Sequence, residues 1–144
     1  MTSNTRKSLE GLVAAEHRHL DALFGEILLD LRRGGEGAAA QDAFARLRDQ
    51  LEAHLAREDR LYYPALRALR PAHREPIAAI VAAHDVFRSQ LAQIESSLAI
   101  GAKDAALRAV ELLASLFATH EVAEEQMLQK IDQEVVAEGM PSAG

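Results

Sequence analysis

The sequence predicts an all-α protein, an antiparallel four-helix bundle with up-down-up-down topology. Alanine and leucine supply most of the apolar residues, while aromatic residues make up only 4% of the chain; this mix favours packed helices over a sheet. Apolar residues recur at helical spacing in four long segments. Because the connections between these segments are short, consecutive helices are expected to be antiparallel neighbours.

The first helix is predicted over residues 8–32, with Ser8 as its N-cap, and it ends at a run of glycines. The second is predicted over residues 38–69. Pro64 lies inside the second pattern. Since proline lacks the backbone N–H and clashes with the preceding turn, we expect it to bend or end this helix near Leu61.

The third helix is predicted over residues 74–99, after a proline-containing connection, and Gly101 marks its end. The fourth is predicted over residues 103–135. Together the four helices form one predicted domain, residues 1–137, followed by a loose tail, residues 138–144. A chain of 144 residues is long enough for a single sizeable core.

Charge and composition exclude several classes of function. The net charge is -6, with acidic and basic residues interspersed, whereas phosphate binding needs a basic stripe, so no nucleic-acid partner is expected. The chain has no cysteine, which excludes disulfides, iron–sulfur clusters and zinc–thiolate sites. No apolar run is long enough to span a membrane, and no signal peptide is evident, so a cytoplasmic protein is expected.

The two halves of the chain repeat each other, and the repeat contains the candidate functional residues. Each half has a lone histidine followed, 37 or 36 residues later, by a His-x3-Glu pair. The members of this set are His17, His54 and Glu58 in the first half and His84, His120 and Glu124 in the second.

These six polar residues lie on the apolar stripes of their helices. Each histidine has apolar residues at helical offsets, and each glutamate follows its histidine by one turn, so all six face the interior. The midpoint between successive histidines falls in one of the three predicted connections. In an antiparallel bundle the four histidines therefore lie within about one helical turn, ~5 Å, of a common plane.

Energetics then favour a metal centre. A buried carboxylate without a partner costs at least several kcal/mol, roughly, and no lysine or arginine shares this stripe. Two cations remove the problem, since two carboxylates can bridge them and two imidazoles can complete each one. Imidazole and carboxylate without thiolate suit iron, manganese or zinc. The six ligands underfill two octahedral ions, which leaves positions for an oxide or hydroxide bridge and an exogenous ligand.

The arrangement resembles the hemerythrin-like proteins, specifically the HHE cation-binding branch, over about residues 9–131. The motifs that carry the resemblance are Glu16-His17, His54-x3-Glu58-Asp59 followed by Leu61-Tyr62-Tyr63-Pro64, Ala83-His84-Asp85 and His120-x3-Glu124-Glu125. The resemblance implies that the four histidines are terminal ligands of two iron ions and that Glu58 and Glu124 are bridging carboxylates.

Two departures distinguish the chain from oxygen-carrying hemerythrins. Those proteins have a further histidine where this chain has Arg88, and their last motif places an aspartate five residues after the histidine, where this chain has His120 and Glu124. The resemblance therefore favours a more symmetric and open site over reversible oxygen storage.

Three functions follow as alternatives. The first is a non-haem diiron protein that binds or reacts with O2, NO or H2O2, with catalase-like activity as one form of it. The second is an iron-storing, iron-donating or sensing protein without turnover. The third is a bundle that holds zinc or manganese structurally. A small diatomic or peroxide ligand is the expected partner, and the chain is expected to be a monomer or weak homodimer.

Residues around the six candidates have alternative roles. Tyr62, one turn beyond Glu58, is expected to face the site, either as packing or as a functional group that hydrogen-bonds a ligand or carboxylate or is oxidised near the iron. Tyr63 is expected to point elsewhere. Arg88 either pairs with a carboxylate or partly closes the open position. His19 is expected on the surface and His73 in a turn.

Four acidic residues flank the predicted ligands: Glu16, Asp59, Glu121 and Glu125. Such residues are usually solvated charges. One or two of them are expected to accept a hydrogen bond from a ligand imidazole, which would fix its tautomer.

Overall fold

The computed structural model describes residues 8–34 and 37–139, with side chains up to residue 134. Its helices are α1 (Leu9–Arg32), α2 (Gly37–Arg57), α3 (Tyr63–Leu69), α4 (Arg74–Ala99) and α5 (Lys103–Gly139). A π-helical turn, Glu58–Tyr62, connects α2 to α3, and a 3-10 turn, Pro71–His73, connects α3 to α4. The described residues contain no strand, so the all-α prediction is confirmed.

The ends of α1 and α4 agree with the sequence pattern. The Ser8 hydroxyl accepts a hydrogen bond from the Gly11 N–H at 3.0 Å, which satisfies one free donor of the first turn. Gly34 and Gly101 follow α1 and α4 with φ of 77° and 73°, a conformation that favours glycine. At the other end of the chain, α5 continues past the predicted end to Gly139, and residues 140–144 of the predicted tail lie outside the described residues.

The predicted second helix is divided because of Pro64. An α-helical Pro64 would press its ring against the carbonyl of residue 60. The chain instead forms a π turn in which the Tyr63 N–H donates to the Glu58 carbonyl, five residues earlier. The wider turn rotates the residues that follow it. Leu61, predicted on the apolar stripe, is therefore 61% exposed, whereas Tyr63 is fully buried.

The core consists of two apolar clusters on either side of a polar layer. The larger cluster is built from the end of α1, from α2, from the second half of α4 and from the start of α5. The smaller one contains Val13, Tyr63, Leu66, Ile77, Ile80, Leu128 and Ile131. Along α1, His17 lies between Val13 of the smaller cluster and Leu20 of the larger one. No described helix combines the length and apolar character needed to cross a membrane.

Candidate metal centre

The polar layer contains all six residues that the repeat singles out. They come from four different helical segments: α1, the end of α2 with its π turn, α4 and α5. Each is buried, and the most exposed, His120, has only 7% of its surface accessible. The buried set is His17, His54, Glu58, His84, His120 and Glu124.

The ligand atoms fall into two groups, within each of which they lie no more than 4.8 Å apart. The first group is His17, His54, Glu58 and Glu124, and the second is Glu58, His84 and His120. The first half of the chain thus supplies both imidazoles of one group, and the second half supplies both imidazoles of the other. Glu58 is the residue common to both groups.

The two oxygens of Glu58 face different imidazoles. Its Oε2 lies 3.2 Å from His54 Nε2, and its Oε1 lies 3.1 Å from His84 Nε2. These pairs are close enough for hydrogen bonds but lack their geometry, and within the described part of the chain all four buried atoms are without a hydrogen-bond partner. Because an unsatisfied buried polar group costs about 1–3 kcal/mol, such a cluster of acceptors and nitrogens suits a cation between them.

Glu124 is placed less evenly than Glu58. Its Oε1 lies 2.9 Å from His17 Nε2 and 3.7 Å from His120 Nε2, while its Oε2 is buried without a hydrogen-bond partner. The sequence predicts two equivalent bridging carboxylates. The distances instead place Glu58 between the two imidazole pairs and Glu124 closer to the first pair.

Three of the four imidazoles donate a hydrogen bond from Nδ1 to a carboxylate. The acceptor lies 2.5 Å away for His54 and Glu16, 2.8 Å for His84 and Asp59, and 2.6 Å for His17 and Glu125. An Nδ1–H that donates outward leaves Nε2 as the nitrogen that faces the centre of the layer, and its lone pair is available to a metal when Nε2 carries no proton. The sequence predicts one or two such contacts, and three are present.

Further side chains hold these carboxylates. Glu16 also accepts from Arg57 Nε at 3.2 Å and from the Tyr62 hydroxyl at 3.2 Å. Tyr62 therefore contacts a carboxylate, which is one of its two predicted roles. The Arg88 guanidinium lies 3.0 Å from Asp59 and 3.2 Å from Glu52. It pairs with carboxylates, as one of its predicted alternatives states.

The fourth imidazole, His120, has no such carboxylate among the residues whose side chains are described. Glu121, which follows it in sequence, is buried beside Asp21 instead. Burial and the hydrogen bond with Asp21 raise the pKa of Glu121 to about 8. The repeat explains why His120 lacks an outer carboxylate from α4: Ala83 precedes His84 at the position where Glu16 precedes His17.

Protonation differs between His54 and His120, which are equivalent in the repeat, and burial also lowers the pKa of His17. Burial lowers the pKa of His54, but its contacts with Glu16 and Glu58 outweigh burial and raise the pKa to about 9. Burial lowers the pKa of His120 to about 4. Burial and the neighbouring Glu58 hold the pKa of Glu124 far above its usual range. Against the effect of burial, contacts with Glu124, His54 and His84 keep the pKa of Glu58 below its usual range.

Tyr63 packs against the layer, which corrects the prediction that it points elsewhere. Its ring stacks on that of His84 with the centroids 6.3 Å apart, and its buried hydroxyl has no hydrogen-bond partner among the described residues. The π turn causes this, since it places Tyr63 rather than Tyr62 over Glu58. The only sequence signal for it is Pro64 directly after the tyrosines.

The two remaining histidines lie outside the layer. His19 is exposed, as predicted. His73 lies in the 3-10 turn, which agrees with its predicted position, but it is buried, and its Nδ1 donates to the Leu66 carbonyl at 3.1 Å.

Comparison with known proteins identifies the family. The model of the hemerythrin HHE cation-binding domain matches residues 9–131. The chain belongs to this family. No curated protein and no solved structure matches it significantly. Membership implies cation binding, and the buried histidine and glutamate groups of this hemerythrin-family protein have the composition to hold a metal.

Proposed function

We propose that this hemerythrin-family protein holds two iron ions in the polar layer and reacts there with a small oxidant: O2, NO or H2O2. One observation carries the proposal. Glu58 presents one unpartnered oxygen to the imidazole of His54 and the other to that of His84. A carboxylate placed in this way, between two pairs of imidazoles, suits two cations better than one.

Each residue has a role in this proposal. His17 and His54 would hold one ion, His84 and His120 would hold the other, and Glu58, between the two pairs, would serve both. Glu124 completes the first group and lies within reach of the second. The family membership supports cation binding, and a donor set of imidazole and carboxylate without thiolate fits iron.

The surroundings of the layer support a reactive site over a purely structural one. Iron, when bound, supplies one-electron redox chemistry. Around it, the outer carboxylates Glu16, Asp59 and Glu125 each accept a hydrogen bond from the Nδ1 of an imidazole and so fix the orientation of its ring. On the side of the larger cluster, Phe117 and Phe87 contact His120 with ring centroids 6.1 Å and 4.9 Å away, so this imidazole has apolar neighbours.

The four-helix topology belongs to the same proposal. The Glu10 N–H, near the start of α1, donates to Asp132, near the end of α5, while Arg32 at the end of α1 pairs with Glu111 near the start of α5. These contacts support an antiparallel α1–α5 pair. An up-down-up-down bundle would bring the four histidines to one level.

A second candidate function is iron storage or donation without turnover. The observation that favours it is the unequal support of the ligands. Since His120 has no outer carboxylate, the His84/His120 group is the one from which an ion would leave more easily.

Metal analysis combined with absorption spectroscopy tests the proposal. Protein reconstituted with ferrous iron and exposed to air should bind about two irons per chain and absorb in the near ultraviolet, and NO or H2O2 should change that spectrum. The control is the His54→Ala/His120→Ala double variant, which should lose both features. Less than one metal per chain in the wild type contradicts the dimetal site. Stable iron with a spectrum unaffected by either oxidant favours storage.

A further inference from the structure

Two surface grooves lead toward the layer, and the repeat makes them equivalent. The α1–α2 groove, of about 280 Å³, is lined by Leu12, Glu16, His19, Gln50, His54 and Arg57. The α4–α5 groove, of about 460 Å³, is lined by Ala79, Ala83, Val86, Leu116, His120 and Ala123. When the two halves of the chain are aligned, the six residues of the first groove match the six of the second one by one, in the order given. Each groove has one histidine of the layer at its base.

Charged side chains line the α1–α2 groove around His54. Glu16 accepts hydrogen bonds from His54 Nδ1, from Arg57 Nε and from the Tyr62 hydroxyl. A molecule that approached His54 along this groove would therefore meet the Glu16–Arg57 ion pair. The same contacts hold the imidazole.

The α4–α5 groove has lost every one of these contacts. Ala83 stands where Glu16 stands, and Ala123 stands where Arg57 stands. His19 and Gln50 are replaced by Val86 and Leu116. Among the residues whose side chains are described, His120 is the one ionisable residue of the lining, and the other polar residues are Ser115 and Thr119.

The chemistry of this lining selects its occupant. An anion or a strongly hydrated molecule would lose water in the groove and find no charge to compensate the loss, whereas an uncharged apolar molecule loses little. The volume lies within the usual range for small-molecule pockets. At the base of the groove, His120 is the most exposed of the four imidazoles and the one without an outer carboxylate.

We propose that the α4–α5 groove admits a small uncharged apolar molecule, a diatomic gas such as NO or O2, to the His84/His120 side of the centre. This inference rests on the proposed function and narrows its ligand class, since it favours diatomic gases over peroxide and over anions. It also places the reaction at the His84/His120 side, where the groove lacks a counterpart of the Glu16–Arg57 ion pair.

Xenon binding to the metal-free protein tests the groove independently of any metal. Crystals under xenon pressure should show xenon in the α4–α5 groove and none in the α1–α2 groove. Ala83→Leu and Ala123→Leu should each remove it, since leucine fills the space; position 123 is exposed and tolerates the larger side chain. Ala82→Leu is the matched control, because Ala82 is the exposed neighbour of Ala83 outside the groove, and it should retain xenon.

Stopped-flow mixing of the iron-loaded protein with NO tests the route. Association should be at least about tenfold slower in Ala83→Leu and Ala123→Leu, with metal content unchanged, and normal in Ala82→Leu. Azide, an anionic probe, should bind all four proteins at similar rates, since the groove does not favour anions.

Several outcomes would overturn the inference. NO rates that are unaffected in both filled variants at full metal content contradict the groove alone and leave the proposed function standing. Xenon in the α1–α2 groove, or in neither groove, also contradicts it. A wild-type dimer that Ala123→Glu dissociates would show that a second copy covers the groove. A wild type that takes up no metal overturns the proposed function itself.

Discussion

The two halves of this chain build the same site with unequal support. In the α1–α2 half, the imidazole of His54 is held by Glu16, which Arg57 and Tyr62 hold in turn. In the α4–α5 half, His120 occupies the equivalent position, and Ala83 and Ala123 replace the carboxylate and the arginine. The groove beside His54 therefore has a charged lining and the groove beside His120 a mostly apolar one.

The comparison separates what holds a metal from what controls access to it. The residues that face the centre are the same in both halves, and the exchange of outer carboxylates is also preserved, since Asp59 holds His84 and Glu125 holds His17. Only the contact from α1 to His54 has no counterpart from α4 to His120. We infer that the repeat conserves the requirement for binding, while the difference provides an opening.

The largest expected effect comes from replacing each of the two glutamates, Glu58 and Glu124, by glutamine. Glu58 belongs to both ligand groups and Glu124 to one. In the metal-free protein, Glu58→Gln leaves His54 as a buried charge with a weaker partner set, which is expected to lower the free energy of unfolding by about 3 kcal/mol. Because the raised pKa of Glu124 keeps its carboxyl protonated and neutral, the neutral glutamine of Glu124→Gln should change stability little. Urea unfolding measures both.

The same two variants separate the ligand groups in the metal-loaded protein. Glu58→Gln should lose both metal ions, whereas Glu124→Gln should keep at least one under the same conditions, as elemental analysis will show. Equal loss in both variants would mean that the two carboxylates are equivalent bridges, as the sequence repeat alone predicts.

The next effect concerns protons. Before metal binds, the pKa of His54 is raised to about 9 and that of Glu124 is raised as well, so both hold a proton at pH 7. Metal binding displaces these protons, and the apparent affinity should therefore rise with pH, by about tenfold per pH unit for each proton released. The pKa of His120 is lowered to about 4, so it has no proton to lose. Calorimetry in buffers of different ionisation enthalpy measures the release.

Two histidine variants test whether His54 or its equivalent His120 contributes to this pH dependence. His54→Ala should reduce the pH slope of metal affinity between pH 6 and pH 8, because it removes one displaced proton. His120→Ala should weaken binding but leave the slope unchanged. A slope that falls equally in both variants would contradict the assignment.

A smaller effect is expected when the halves are made alike. Glu16→Ala gives the α1–α2 half the alanine that the other half has, and it should weaken metal binding by about tenfold, the lower range for loss of an outer partner. Ala83→Glu, the reverse change, should slow metal release, because it supplies the carboxylate that His120 lacks. Chelator competition measures both rates and affinities.

The control for these variants is Glu26→Ala. Glu26 forms an exposed ion pair with Arg46 at 2.7 Å, and solvent screening leaves exposed pairs of this kind with little effect on stability. Metal affinity should not change. If Glu16→Ala behaves like this control, the contact between Glu16 and His54 does not support the ligand.

Much of the site follows from periodicity alone. The spacing of the six candidates places them on interior faces, and the repeat sets them at a common level, so their convergence could be predicted without coordinates. The helix ends at Arg32 and Ala99 could also be predicted, because a glycine follows each of them within two residues.

The contacts of the outer carboxylates and the π turn could not be predicted from the spacing of residues. Whether Glu16 reaches His54 or solvent depends on the rotation of α1 against α2, which spacing does not determine. Pro64 indicates a disruption, but the sequence does not say whether the helix ends, kinks or widens. It widens, and every residue after Glu58 up to Leu69 is rotated relative to the regular pattern, which exchanged the roles of Tyr62 and Tyr63.

The smallest expected effect tests that exchange. In the metal-free protein, Tyr63→Phe removes a buried hydroxyl without a partner and should leave the free energy of unfolding unchanged or raise it by up to about 1 kcal/mol. Tyr62→Phe removes a hydroxyl that donates to Glu16 and should lower it by about 1 kcal/mol. Urea unfolding of both variants gives the order. A regular α-helix through this segment would bury Tyr62 and turn Tyr63 outward, so the opposite order would show that the π turn does not form in solution.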